Sequence, residues 1–180
     1  TVNMVTGAAA ARHQVFLTFA GEGSSAQIDG VNLLNGSQHA DATLVVDHAV
    51  PHCTSREVFK TILDGDAVGV FQGKIIVRPH AQKTDGAMKS DTLLLSDGAT
   101  MNNKPELEIF ADDVVCGHGA TCGALDEDLL FYLKSRGLPK AEAESLLLQA
   151  FVGPPLEAIV HEGLREALVG VVESWLAARR

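Results

Sequence analysis

The chain is poor in the features that mark most ligand-handling surfaces. Aromatic residues make up 5% of its 180 residues, with one Trp and one Tyr. That leaves little with which to line a carbohydrate cleft. No Lys/Arg cluster interrupts an acidic sequence of net charge −9. Residues 1–125 carry 8 basic and 14 acidic groups, and residues 126–180 carry 6 and 9. A phosphate backbone requires such a cluster, so nucleic acid is not an expected partner. No apolar run approaches the length of a membrane span, so no membrane association is expected. No GxxxxGK[ST] sequence is present, so any ATP chemistry belongs to another protein. Cysteine is scarce and odd in number: Cys53, Cys116 and Cys122. Without a secretory signal, these read as free thiols in a reducing compartment, not as a disulfide frame. An initiator Met is also missing, and the start TVNMVTGAAAARHQVF reads as the cut end of a longer chain.

What is present changes character near Leu125. Before it come short apolar runs separated by Gly, Asp, Asn and Ser: HQVFLTFAG, AQIDGVNLLNG, ATLVVDHAV, VGVFQGKIIVRP, DTLLLSDG and PELEIFADD. The runs are β-branched and aromatic, and the punctuation is turn chemistry. Their centres recur every ten to fifteen residues or so, about one strand per corner of a coil. SREVFKTILDG (Ser55 to Gly65) fits a helix through Val58, Phe59 and Ile62, with Ser55 as a cap. As a strand it would set Glu57, Phe59 and Thr61 on one face, and its neighbours favour strand. A β-sandwich or a parallel β-helix could use so many short strands. The Asn and Asp content of the turns leans toward stacked coils.

After Leu125 the period changes to 3.6. Asp126 is placed to cap DEDLLFYLKSR, with Gly137 as its stop. Pro139 starts a second helix, KAEAESLLLQAFV, expected to end at Gly153, Pro154 and Pro155. A third helix is expected to carry one stripe of Leu156, Ile159, Val160, Leu164, Ala167, Leu168, Val171, Val172, Trp175 and Leu176. Three such helices can cover one end of a β-domain and leave apolar surface for a partner. The division is thus 1–125, part of a β-domain, and 126–180, a helical domain.

The segment PELEIFADDVVCGHGATCG (Pro105 to Gly123) carries the chemistry. Cys116 and His118 are two apart, so an extended chain points them to one face. A soft sulfur beside an imidazole suits iron or zinc better than calcium. One Cys and one His are only half a metal site. The flanking glycines admit close approach of a ligand or another backbone. Elsewhere, His48 and His52 lie four apart beside Cys53, but Pro51 between them and a strand-and-turn context favour a structural role over a helical zinc pair. His80 falls in a polar turn. Adjacent Asp112 and Asp113 would face opposite ways and serve a turn. QKTDGAMKSD reads as a solvated turn, and His161 receives no role.

From Asn35 to Phe151 the sequence resembles the conserved C-terminal region of the SufB/SufD family. The matching stretches are HAVPHCTSREVFKTILDGDAVGVFQGKIIV, AQKTDGAMKSDTLLLSDGATMNNKPELEIFADDVVCGHGATCG and LFYLKSRGL. Within the family it is similar to the SufD branch. The His is flanked by glycines in CGHGAT, where a Glu-rich segment marks the SufB branch. DTLLLSDG offers no Cys between Asp91 and Gly98, where SufB is expected to carry a cluster ligand.

The resemblance implies a mainly β fold, a right-handed parallel β-helix followed by a small C-terminal α-helical domain. It implies a scaffold subunit for iron–sulfur cluster assembly, not an enzyme. The expected partners are a SufB-like subunit in a heterodimer and a SufC-like ATPase docked on the terminal helices. Self-pairing as a homodimer is the alternative when the chain is alone. His118 matches the histidine that faces the SufB cysteine across the heterodimer, and Cys116 matches a neighbouring cysteine with a less secure ligand role. Cys122 receives no role. The nascent cluster would be shared between subunits, with none held by the isolated chain. Docking would involve helices within 126–180, including Leu146 and Phe151. The expected setting is the cytoplasm, or the plastid stroma for a plant or algal source. The competing reading is a stand-alone β-helix enzyme, metal-dependent or carbohydrate-directed, which would require three converging His or an acidic cleft with aromatic platforms.

Overall fold

The structure is a computed structural model that describes residues 1–179. Nine strands come first: β1 (Val2–Val5), β2 (Ala10–Phe19), β3 (Ser25–Leu34), β4 (His39–His48), β5 (Thr54–Leu63), β6 (Val68–Val77), β7 (Asp85–Leu94), β8 (Thr100–Ile109) and β9 (Val115–Gly123). Three helices follow: α1 (Glu127–Ser135), α2 (Lys140–Glu157) and α3 (Glu162–Ala178). Odd strands form one sheet in the order β1-β3-β5-β7-β9, and even strands form a second, β2-β4-β6-β8. Every pairing is parallel. The chain alternates between the two sheets and climbs one rung per circuit, so this is a parallel β-helix. The sandwich alternative is excluded. Each circuit uses two strands, not one per corner of a many-sided coil.

Alternation within the strands explains the coil. In β4, Ala40, Ala42, Leu44, Val46 and His48 are buried and the intervening residues are not. In β5 the buried face begins Ser55, Glu57, Phe59, Thr61, so SREVFKTILDG is a strand. The lumen packs Phe59 on Phe71, with ring centroids 4.9 Å apart. A Cβ on Gly30 would collide with the Phe59 ring, so that glycine makes room for an aromatic residue. The corners stack in the same way. Gly65, with φ +67°, lies against Gly36, and Asp66 N–H donates to the Gly36 carbonyl at 2.8 Å.

QKTDGAMKSD is a turn only at Gln82 and Lys83. From Asp85 onward it is most of β7, with Gly86, Met88 and Ser90 buried. Its polar outer face hides an inner row of small or flexible side chains, which the composition of the segment masks.

The helices depart from expectation in two ways. Helix α2 does not stop at Gly153. It continues through Pro154 and Pro155 to Glu157, and Pro155 and Leu156 are buried. The prolines stand in the last turn and forgo their own N–H bonds to the preceding turn, and burial of Pro155 and Leu156 retains the helical path. Helix α3 therefore starts only at Glu162, and the long stripe is divided. Val160 is 96% exposed in the link, and Leu164 is 50% exposed. His161 caps α3, its Nδ1 accepting from Leu164 N–H at 3.1 Å. Asp126 caps α1 as expected, accepting from Asp128 and Leu129.

The helices cover a side of the coil, not its end. Leu148, Val152, Leu156, Val172, Trp175 and Leu176 pack with Val31, Leu33 and Ile62 from the outer face of the odd-strand sheet. Burial of one such side chain contributes about 1.5–3 kcal/mol, so this junction is a second core. Arg179 Nε closes it with a 2.5 Å contact to Asp64 Oδ2 in the turn after β5.

Candidate functional site

The last rung of the coil is open. Among the described residues strand β9 pairs only with β7, and β8 only with β6, so both terminal strands present an unpaired edge. Ile109, Phe110 and Val115 at the connection between them are 40%, 57% and 74% exposed.

Register places the predicted site residues on this edge. Ser55, Gly86 and Cys116 form one rung across β5, β7 and β9; Glu57, Met88 and His118 form the next. Thr61, Thr92 and Cys122 form a third, four residues further on. The β5 and β7 members are buried in or beside the lumen. Cys116 and His118 thus continue the lumen face at the open end, as their spacing predicts. Cys116 is half-buried and packs on the lumen core, whereas His118 and Cys122 are exposed. Burial pushes the Cys116 thiol above its usual range, a larger effect than its contact with Gly86. It would have to lose its proton on binding iron.

The glycines around His118 serve nothing inside this chain. A Cβ on Gly117, Gly119 or Gly123 would meet no atom within 4 Å. Gly30 makes room for an internal ring; these three, at alternate positions of β9, leave space on its outer face, opposite the face that carries His118.

The other candidates are dispersed. His48 is fully buried, with Nε2 3.0 Å from Ser55 Oγ. His52 sits in a left-handed turn at φ 60°, and its N–H donates to the Gln82 carbonyl. His80 is exposed, as are Asp112 and Asp113, the latter paired with Lys83. Among the described residues no three His, Cys, Asp or Glu side chains converge as a metal-binding set. Of the docking residues, Leu146 is 44% exposed, but Phe151 is half-buried with Lys60 Nζ 4.7 Å from its ring centroid.

Sequence reasoning passed over Glu57. It is fully buried, neither carboxylate oxygen has a hydrogen-bond partner, and its pKa rises to about 7, chiefly through burial. A signal existed, since the strand reading sets Glu57 on the same face as Phe59. It likewise passed over Asp91, whose carboxylate bonds Lys60 and Thr121 on the outer face.

Comparison with known proteins supplies the family. The model for the SUF system FeS cluster assembly, SufBD core domain, matches residues 1–151. The iron–sulfur cluster assembly protein SufD of Escherichia coli is 36% identical over 167 residues, covering 93% of this chain and 40% of that protein. SufD of Bacillus subtilis is 31% identical over 153 residues, 85% of this chain and 35% of that protein. A chloroplastic protein of Arabidopsis thaliana is 32% identical over 168 residues, 92% of this chain and 35% of its own length. The chain therefore spans less than half the length of these relatives. A parallel β-helix with a glycine-flanked Cys–His edge strand, matched by that domain model over most of its length, belongs to the SufBD family of iron–sulfur cluster assembly proteins and is similar to its SufD members.

Proposed function

We propose that this chain is part of a non-ATPase scaffold subunit that contributes the His118 imidazole to a nascent iron–sulfur cluster site completed by a SufB-like subunit. The observation that carries the reading is the exposed His118 on an unpaired edge strand, flanked by glycines whose Cβ positions face open space. Unpaired strand edges are suited to receiving another chain. His118 would bind iron through a neutral ring nitrogen, so protonation of the ring weakens the site. Cys116, behind it on the lumen face, is the second candidate ligand. The cluster is cargo, and ligands divided between two subunits can be separated to release it.

The helical segment is the proposed seat of a SufC-like ATPase. Nucleotide binding there would bias the assembly between two arrangements through differential affinity. The setting proposed is the cytoplasm, or the plastid stroma for a plant or algal source, with which the chloroplastic relative is consistent.

The test is His118→Ala in the full-length protein, read by complementation and by co-purification with the SufB-like subunit. The expected result is an intact heterodimer with cluster maturation abolished or strongly reduced. Cys116→Ala should be milder. Normal maturation with an intact complex would make His118 structural. A variant that cannot form the complex would make it an interface residue.

A further inference from the structure

The outer face of the odd-strand sheet carries a side-chain network to which the proposed function assigns no task. Lys60 on β5, Asp91 on β7 and Thr121 on β9 stand in register across three adjacent strands. Lys60 Nζ donates to Asp91 Oδ2 at 2.7 Å, and Thr121 Oγ1 donates to Asp91 Oδ1 at 2.7 Å. Lys89 Nζ adds a contact to Oδ2 at 3.2 Å. The Lys60 ammonium also lies 4.7 Å from the centroid of the Phe151 ring on α2. The Lys60 and Asp91 side chains are 12% and 5% exposed.

Stability alone is a poor reason for such a pair. Desolvating two charges cancels much of their attraction, and apolar residues of equal volume often do as well. What the network provides is direction. Each Asp91 oxygen has a partner on a different strand, and the ammonium is held against one ring. Burial pushes the Asp91 carboxyl up, but the bonds from Lys60 and Thr121 and the Lys60 charge outweigh it and leave the group below its usual range. The acceptor is therefore ionised at neutral pH. Thr121 lies three residues beyond His118, on a strand with a neighbour on one side only.

We propose that Asp91 is a positioning residue that couples helix α2 to strand β9, so that movement of Phe151 changes the hold on the strand bearing His118. The path is Phe151 to Lys60, Lys60 to Asp91, and Asp91 to Thr121. Its use in cluster release rests on the reading that the helices dock an ATPase; the coupling itself is a property of this chain.

Amide hydrogen exchange on the full chain tests it. Phe151→Leu retains an apolar side chain but removes the ring beside the ammonium. Exchange in residues 115–123 should accelerate about fivefold, with β4 and β6 in the opposite sheet unchanged. In an Asp91→Asn background β9 should already exchange faster, and adding Phe151→Leu should do no more. Thr121→Val, which leaves the Lys60–Asp91 pair whole, should also block the transmitted effect, and Asp91→Glu should restore part of it. A purely structural Asp91 would give additive effects. Unchanged β9 exchange in Phe151→Leu, or an undiminished response in the Thr121→Val background, overturns the coupling. Failure of a SufC-like ATPase to bind, with the exchange pattern as expected, would overturn the docking reading and leave the coupling standing.

Discussion

His48 Nε2 lies 3.0 Å from Ser55 Oγ inside the coil, and Glu57 follows two residues later on the same buried face of β5. Burial acts on this pair in opposite senses. It is the largest influence on both, lowering the His48 pKa from 6.5 to about 4 and raising that of Glu57 from 4.5 to about 7. Between about pH 4 and 6.5 the unfolded chain binds more protons at His48, so stability from this group rises with pH. Between about pH 4.5 and 7 the folded chain binds more at Glu57, so stability falls with pH. At about 1.4 kcal/mol per pH unit, each displacement corresponds to about 3 kcal/mol. The two slopes nearly cancel in the wild type.

Single substitutions should unmask them. Glu57→Gln should show stability climbing from pH 4 to 6.5 and should be more stable than wild type at pH 8. His48→Gln should show stability declining from pH 4.5 to 7. Urea unfolding midpoints at half-unit pH steps provide the measurement. Parallel pH profiles for wild type and both variants would mean that neither group is shifted.

Charge reversal should separate the two proposed docking residues. Leu146 is 44% exposed, so Leu146→Glu should leave thermal unfolding within about 0.5 kcal/mol of wild type. If the helices seat a SufC-like ATPase at this position, its binding should weaken. Phe151→Glu should instead destabilise the chain, because its ring packs on the junction core beside Lys60. Calorimetric binding beside a melting curve distinguishes these outcomes. Unchanged affinity across all exposed positions of α1, α2 and α3 would remove docking from this segment.

Much of the architecture was legible from the sequence. β-Branched runs such as ATLVVDHAV and the Gly, Asp and Asn punctuation between them reported strands and turns, and they do form β4 and the stacked corners at Gly36 and Gly65. The coiled arrangement came from the resemblance, because alternation describes one buried face and is silent about which strands pair. The shared face of Cys116 and His118 was legible because period-two spacing survives at an edge. Asp91 was not. Its partners Lys60 and Thr121 are about thirty residues away in each direction, which is one circuit of the coil. The end of α2 was misread because Pro154 and Pro155 are breakers in isolation, while Pro155 and Leu156 are packed into the junction.

Arg179 and Asp64 should make the C-terminal helix report on acid. The Asp64 carboxyl is burdened by burial, but the Arg179 contact and the Gly65 N–H outweigh this and hold its pKa below 3.8. The stabilisation is therefore present above the unfolded value and is lost as pH falls below it. Arg179→Gln should cost about 1 kcal/mol at neutral pH and progressively less as pH falls below 3.8. Exchange of α3 amides should accelerate more than that of β5. A cost that persists unchanged at pH 2 would assign the effect to lost packing of the Arg179 stem.

The glycines offer the sharpest contrast between folding and use. A methyl at Gly30 would strike the Phe59 ring, and one at Gly73 would strike Met88 and approach Phe71. Overpacking of that kind costs about 1–3 kcal/mol, so Gly30→Ala and Gly73→Ala should lower the unfolding midpoint clearly. At Gly117 and Gly119 a methyl meets nothing, and neither glycine has a positive φ. Alanine there should shift stability by less than about 0.5 kcal/mol. If the outer-face space that flanks His118 in the strand is reserved for a second subunit, the same silent substitutions should impair assembly in the full-length protein. Gly119→Ala is the stricter test, being the less exposed of the two. Its readouts are a melting curve, co-purification with the SufB-like subunit, and complementation. An unaltered melt with defective pairing or maturation is the expected pattern. A variant normal in all three would show that the open space around His118 has no occupant that a methyl group can disturb.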